Sequence, residues 1–82
     1  MKADNIAGAS DAVQSIGQRL RALRNEHAWL LEEAAAHIGI SAQYLCRLER
    51  GHYQNPTMHL LVSIADAYGT SVDFICGRNV AR

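Results

Sequence analysis

The chain has 82 residues, 49% of them hydrophobic and 20% charged, with eight basic and eight acidic side chains that cancel. That length allows a single domain, and the apolar fraction excludes a disordered chain. A fold this small buries only ~60% of its unfolded surface, and a neutral total excludes strong non-specific attraction to polyanions.

Residues 1–10, MKADNIAGAS, are small and polar with no sustained period, and are expected to form a flexible N-terminal arm. Asp11 followed by Gln14 matches a capping box. Val13, Ile16, Leu20 and Leu23 then recur at three- and four-residue steps, which predicts an amphipathic helix ending near Glu26 or His27. Gly39, Gly51, Gly69 and Gly77 each follow a short helical pattern, where a left-handed residue closes the last turn. They divide the remainder into four helices, at about Leu31–Ile38, 42–50, Met58–Tyr68 and Val72–Cys76. Ser41, Thr57 and Ser71 stand at the N-cap positions of the last three. No segment alternates with period two, and no Asn-Gly or Asp-Gly marks a hairpin. The expected architecture is all-α, with five helices over residues 11–77 and a short tail at 78–82.

No apolar run approaches the ~18 residues required to cross a membrane. The start of the chain has neither the charged end nor the apolar centre of a signal peptide, so the chain reads as cytoplasmic with no membrane partner. Cys46 and Cys76 form no CxxC and are expected to be reduced thiols. His27, His37, His52 and His59 are spaced by ten, fifteen and seven residues. None of these spacings matches the i, i+4 pair of a helical zinc site, so no metal is expected. No glycine-rich phosphate loop or Ser/His/Asp order supports an enzyme, and no cofactor is implied.

The informative stretch is 32–51, EEAAAHIGISAQYLCRLERG. Two helices of about two turns are joined by a tight turn containing Gly39, the geometry of a helix-turn-helix. Ala35 lets the helices cross closely, and Ile40, Leu45 and Leu48 lock the crossing. With Leu45 and Leu48 buried, the opposite face of the second helix exposes Ala42, Gln43, Tyr44, Arg47 and Arg50. Such a face suits a major groove, where Gln pairs with adenine and Arg with guanine. Ser41, at that helix's N-terminus, suits a phosphate. Arginines cluster as Arg19, Arg21 and Arg24 in the first helix and as Arg47 and Arg50 here, so a neutral chain can still present a positive face.

Residues 15–77 resemble the Cro/cI-type (XRE-like) helix-turn-helix DNA-binding family. The resemblance is carried by SIGQRLRALR, AAAHIGIS, YLCRLERG, Pro56-Thr57 and IADAYGTSVDFICG. It implies a lambda-repressor-like domain with its helix-turn-helix at about 31–50. It also implies an ion pair between Arg24 and Glu49 that holds the first helix to the third. Base contacts carry over to Ala42, Gln43 and Arg47, and phosphate contacts to His52, Tyr53 and Asn55 in the following loop. The chain departs from the family at three places. Leu30-Leu31 stands where a capping Thr or Ser and a phosphate-binding Gln are usual. Ala34 replaces a core leucine, whose space Trp29 is expected to fill. Ala42 replaces a polar side chain and can offer thymine only a methyl contact.

The function expected from this resemblance is a sequence-specific duplex-DNA-binding transcriptional regulator, a repressor acting as a homodimer on a palindromic operator. Its dimer contact is expected around Val72, Phe74 and Ile75. The competing reading is a protein–protein interaction module that keeps the fold and has weak or no DNA binding. Zero net charge and an exposed Trp29-Leu30-Leu31 patch for a protein partner motivate it.

Overall fold

A computed structural model describes residues 15–53 and 55–78. Among the described residues five helices follow one another: α1 Ile16–Glu26, α2 Leu31–Ile38, α3 Ala42–Glu49, α4 Met58–Tyr68 and α5 Val72–Cys76. The described residues contain no strand, so the domain is all-α.

The start of α1 corrects the expectation from Asp11. Ser15 is its N-cap, with extended backbone at φ −70° and ψ 163°. Its hydroxyl accepts from the Gln18 N–H at 3.2 Å, and the Gln18 side-chain oxygen accepts from the Ser15 N–H at 2.9 Å. A cap in extended geometry interrupts any helix running into Ile16 from residue 11. Ser15 and Gln18 thus form the capping box that Asp11 and Gln14 also matched. Those two residues, Val13, the arm and the end of the tail lie outside the described residues.

The remaining starts follow from side-chain oxygens. Ser41 accepts from the Tyr44 N–H at 3.0 Å, Thr57 from Leu60 at 3.1 Å and Ser71 from Phe74 at 3.0 Å. The Leu30 side chain, at the head of α2, has no acceptor to offer. There Glu33 reaches back to the Leu30 N–H at 2.8 Å, and Glu32 and Glu33 complement the helix dipole. Between α2 and α3 the chain reverses at Gly39, whose φ of 95° is costly for any residue with a Cβ.

The core lies where α1 and α2 pack against α3 and α4 packs against α2, with α5 sealing one end against α1 and α4. Leu20 and Leu23 of α1, Leu45 and Leu48 of α3, Ile64 of α4 and Ile75 of α5 are fully buried. Each contributes about 1.5–3 kcal/mol of burial free energy. Ala34 and Ala35 keep α2 thin where α3 crosses it, and both are buried. Gly17 does the same for α1. A Cβ there would sit 2.5 Å from the Glu49 carbonyl oxygen and 2.6 Å from that of Leu48. The end of α3 is therefore pressed directly against the α1 backbone.

Trp29 is half-buried and packs on the rim of the core. Its ring stacks on His37 at 4.0 Å with an interplanar angle of 7°, and meets His27 at 4.6 Å and Tyr68 at 5.7 Å.

Candidate nucleic-acid interface

The site rests on how α3 is held. The Arg24 guanidinium of α1 donates to both Glu49 carboxylate oxygens, from Nε at 2.8 Å and from Nη2 at 3.0 Å. Its remaining nitrogen reaches the Trp29 carbonyl at 3.3 Å. The Glu49 side chain is only 3% exposed. Hydrogen bonding to Glu49 raises the Arg24 pKa, and burial opposes that shift. Arg19 turns the other way and donates to the Ile75 carbonyl of α5 at 3.4 Å. Arg21 is largely exposed, 3.8 Å from Glu49. Two of the α1 arginines thus join helices, and the cationic groups on the α3 face are Arg47 and Arg50.

With Leu45 and Leu48 directed into the core, α3 turns Gln43, Arg47 and Arg50 to solvent. Ala42 and Tyr44 are half-buried. Ser41 is exposed, although its hydroxyl is engaged as a cap. Beyond α3, His52, Tyr53 and Asn55 are exposed on the loop. The His52 N–H donates to the Arg47 carbonyl at 3.0 Å, which ties the loop to the end of the helix. Tyr53 meets Tyr44 edge-on at 5.1 Å and 73°, so these two rings brace one another beside the face. The nine nominated residues therefore lie on one helix and the loop that leaves it.

A groove of about 550 Å3 runs along this face. Half-buried Leu31, Ala42 and Cys46 line it, and exposed Gln43, Arg47, Arg50 and His52 border it. Neither Leu31, expected in a patch for a protein partner, nor Cys46 is among the DNA contacts expected from the sequence. The available signal was the i, i+4 spacing of Ala42 and Cys46, which puts them on one helical face.

Other nominated residues separate. Ile75 is 0% exposed, inside the domain's own core, and has no side-chain surface for a second copy. That corrects its assignment to a dimer contact, because the single turn of α5 uses it to seal the core. Val72 and Phe74 are half-buried. The Trp29-Leu30-Leu31 patch also divides: Trp29 joins the aromatic stack, Leu30 is 67% exposed and Leu31 lines the groove. His27 and His37 flank Trp29, and the described residues hold no cluster of three metal-ligating side chains. Cys46 and Cys76 are free thiols. No helix among the described residues is long and apolar enough to cross a membrane.

Comparison with known proteins bears on the family and the fold. A family model described as a helix-turn-helix domain matches residues 15–73. An uncharacterized HTH-type transcriptional regulator, y4dJ of Sinorhizobium fredii, is 41% identical over 61 residues, covering 74% of this chain and 78% of its own length. The immunity repressor protein of Bacillus phage phi105 is 35% identical over 63 residues, covering 77% of this chain and 43% of its own. This chain therefore spans less than half of that repressor. Among solved structures, SinR, the master regulator for biofilm formation, in complex with DNA superimposes with a TM-score of 0.70 at 32% identity. That match covers 73% of this chain and 95% of the SinR chain.

Proposed function

The chain belongs to the helix-turn-helix domain family, of the Cro/cI type, and from that premise we propose that it is a sequence-specific duplex-DNA-binding transcriptional regulator. In this reading it is a repressor that acts as a homodimer on a palindromic operator and reads it through α3. The observation that carries the reading is the exposure of Gln43 and Arg47 on the face of α3 opposite Leu45 and Leu48, with no acidic side chain between them.

The chemistry follows from the groups presented. Arg47 can donate two hydrogen bonds to guanine O6 and N7, and Gln43 can pair with adenine N6 and N7. In this reading Arg50, His52, Tyr53 and Asn55 contact phosphates along the groove wall, and Ser41 offers the N-terminus of α3 to a further phosphate. Such contacts set register, and the two base readers set sequence. A two-fold dimer would place its two α3 helices ~34 Å apart, in successive major grooves. Val72 and Phe74 are the α5 residues proposed for that contact. The proposed domain covers 11–77, preceded by the arm and followed by the tail. Because the chain is neutral, its affinity would depend on dimerisation more than on charge.

Titrating salt against binding to a random-sequence duplex tests this. The logarithm of affinity should fall linearly with the logarithm of salt concentration. No binding at low salt would favour the second reading, an interaction module, for which the 67% exposure of Leu30 is the specific observation.

A further inference from the structure

The groove beside α3 is chemically unlike a surface built only for phosphates. Its half-buried members, Leu31, Ala42 and Cys46, include two side chains with no hydrogen-bonding atom and one weak thiol. Its exposed members, Gln43, Arg47, Arg50 and His52, all carry donors. Among the described residues that line it there is no carboxylate. The apolar part is assembled across the helix-turn-helix, because Leu31 opens α2 while Ala42 and Cys46 lie one turn apart on α3.

An occupant must therefore combine a small apolar projection with acceptors and negative charge around it. In the major groove, thymine alone among the four standard bases presents a methyl group, at C5, beside the acceptors of neighbouring bases and the phosphates. We infer that Leu31, Ala42 and Cys46 form a methyl-reading pocket that selects a thymine next to the base pair read by Arg47. The inference rests on the reading of the chain as a duplex-DNA binder and deepens it, adding a determinant of sequence preference. A leucine at the head of α2 then has a role that a phosphate-binding side chain could not fill. It supplies the wall that keeps water from a buried methyl.

The test replaces thymine by uracil, which removes the methyl and leaves base pairing intact. The preferred duplex is first selected from a random pool, and each thymine of a half-site is then changed in turn. One thymine, or two adjacent ones, should lose affinity by about fourfold per methyl, the value of burying one such carbon. The other thymines should be indifferent. In Leu31→Ala and Cys46→Ser proteins the ratio of thymine to uracil affinity at that position should fall toward one, while dependence on the guanine read by Arg47 persists. The uracil series on the unaltered protein keeps the test independent of whether either variant folds. Selection that enriches no sequence overturns the DNA-binding reading, and this inference with it. An enriched sequence whose uracil series is silent throughout overturns the methyl pocket alone, as does a uracil penalty that both variants retain.

Discussion

Arg24 and Glu49 lie 25 residues apart in sequence and meet through two hydrogen bonds of 2.8 and 3.0 Å where α1 crosses α3. The pair is unequal in exposure, 16% for the Arg24 side chain and 3% for that of Glu49. Removing Arg24 therefore leaves a nearly buried carboxylate, with only the more distant Arg21 to compensate. Arg24→Ala should cost about 3 kcal/mol in urea denaturation, toward the lower end for a broken buried pair. Glu49→Ala should cost a similar amount, and the double variant much less than the sum. Additive losses would mean that the two side chains act independently.

Gly17 marks the same crossing from the backbone side. A methyl group there would meet the Leu48 and Glu49 carbonyl oxygens at 2.6 and 2.5 Å, and backbone atoms cannot rotate away. Alanine normally favours a helix interior over glycine by about 1 kcal/mol. Here the clash should outweigh that, and Gly17→Ala should destabilise the domain by about 1–3 kcal/mol, as overpacking does. A melting temperature at or above that of the unaltered protein would show that α1 and α3 can separate freely.

Much of this fold was legible in the sequence, and the gaps have physical causes. Glycines and N-cap oxygens act within one or two turns, so the bounds of α2, α4 and α5 could be read from Gly39, Gly69, Gly77, Ser71 and Thr57 directly. The start of α1 was ambiguous because two successive pairs, Asp11 with Gln14 and Ser15 with Gln18, satisfy the same local rule. Ile75 was misplaced because a five-residue helix has too little periodicity to tell its inner face from its outer one. Gly17 gave no warning, since its reason lies some thirty residues away in space-filling contact with α3. For the candidate site, the polar face of α3 followed from helical periodicity around Leu45 and Leu48. Leu31 did not, because the sequence groups it with its neighbours Trp29 and Leu30 in an exposed patch, and only the fold turns it toward Ala42 and Cys46.

Tyr68 predicts an alkaline limb in stability. Its hydroxyl is buried with no hydrogen-bond partner, and its pKa is pushed up to about 12, first by burial and then by the Glu49 charge, with Arg24 opposing. An unfolded tyrosine ionises near 10. Below that pH both states are neutral and the contribution of Tyr68 is constant. Between about 10 and 12 only the unfolded state loses its proton, so stability should fall by up to about 1.4 kcal/mol per pH unit. Tyr68→Phe removes both the ionisation and the unpaired oxygen. It should be neutral or slightly stabilising at pH 7 and should flatten the decline above pH 10, measured by denaturation at a series of pH values. An unchanged alkaline slope would assign the decline to other groups.

The two proposed base readers should fail differently from their neighbours on the loop. Arg47 is exposed on α3 next to the groove, whereas His52 and Asn55 lie beyond the helix end. Arg47→Ala should weaken the preferred duplex by about 1–3 kcal/mol and flatten preference at one base pair of each half-site. Gln43→Ala should do the same at a different base pair, since the two side chains are four residues apart and so reach different steps of the groove. Asn55→Ala should instead weaken all sequences alike, because a phosphate contact carries no sequence information. The salt slope separates the roles further. Losing a cationic phosphate contact such as Arg50 should reduce its magnitude by about one, while losing neutral Gln43 should leave it unchanged. If Arg47→Ala weakened every sequence equally and flattened no position, α3 would be gripping the backbone, and base reading would have to come from another element.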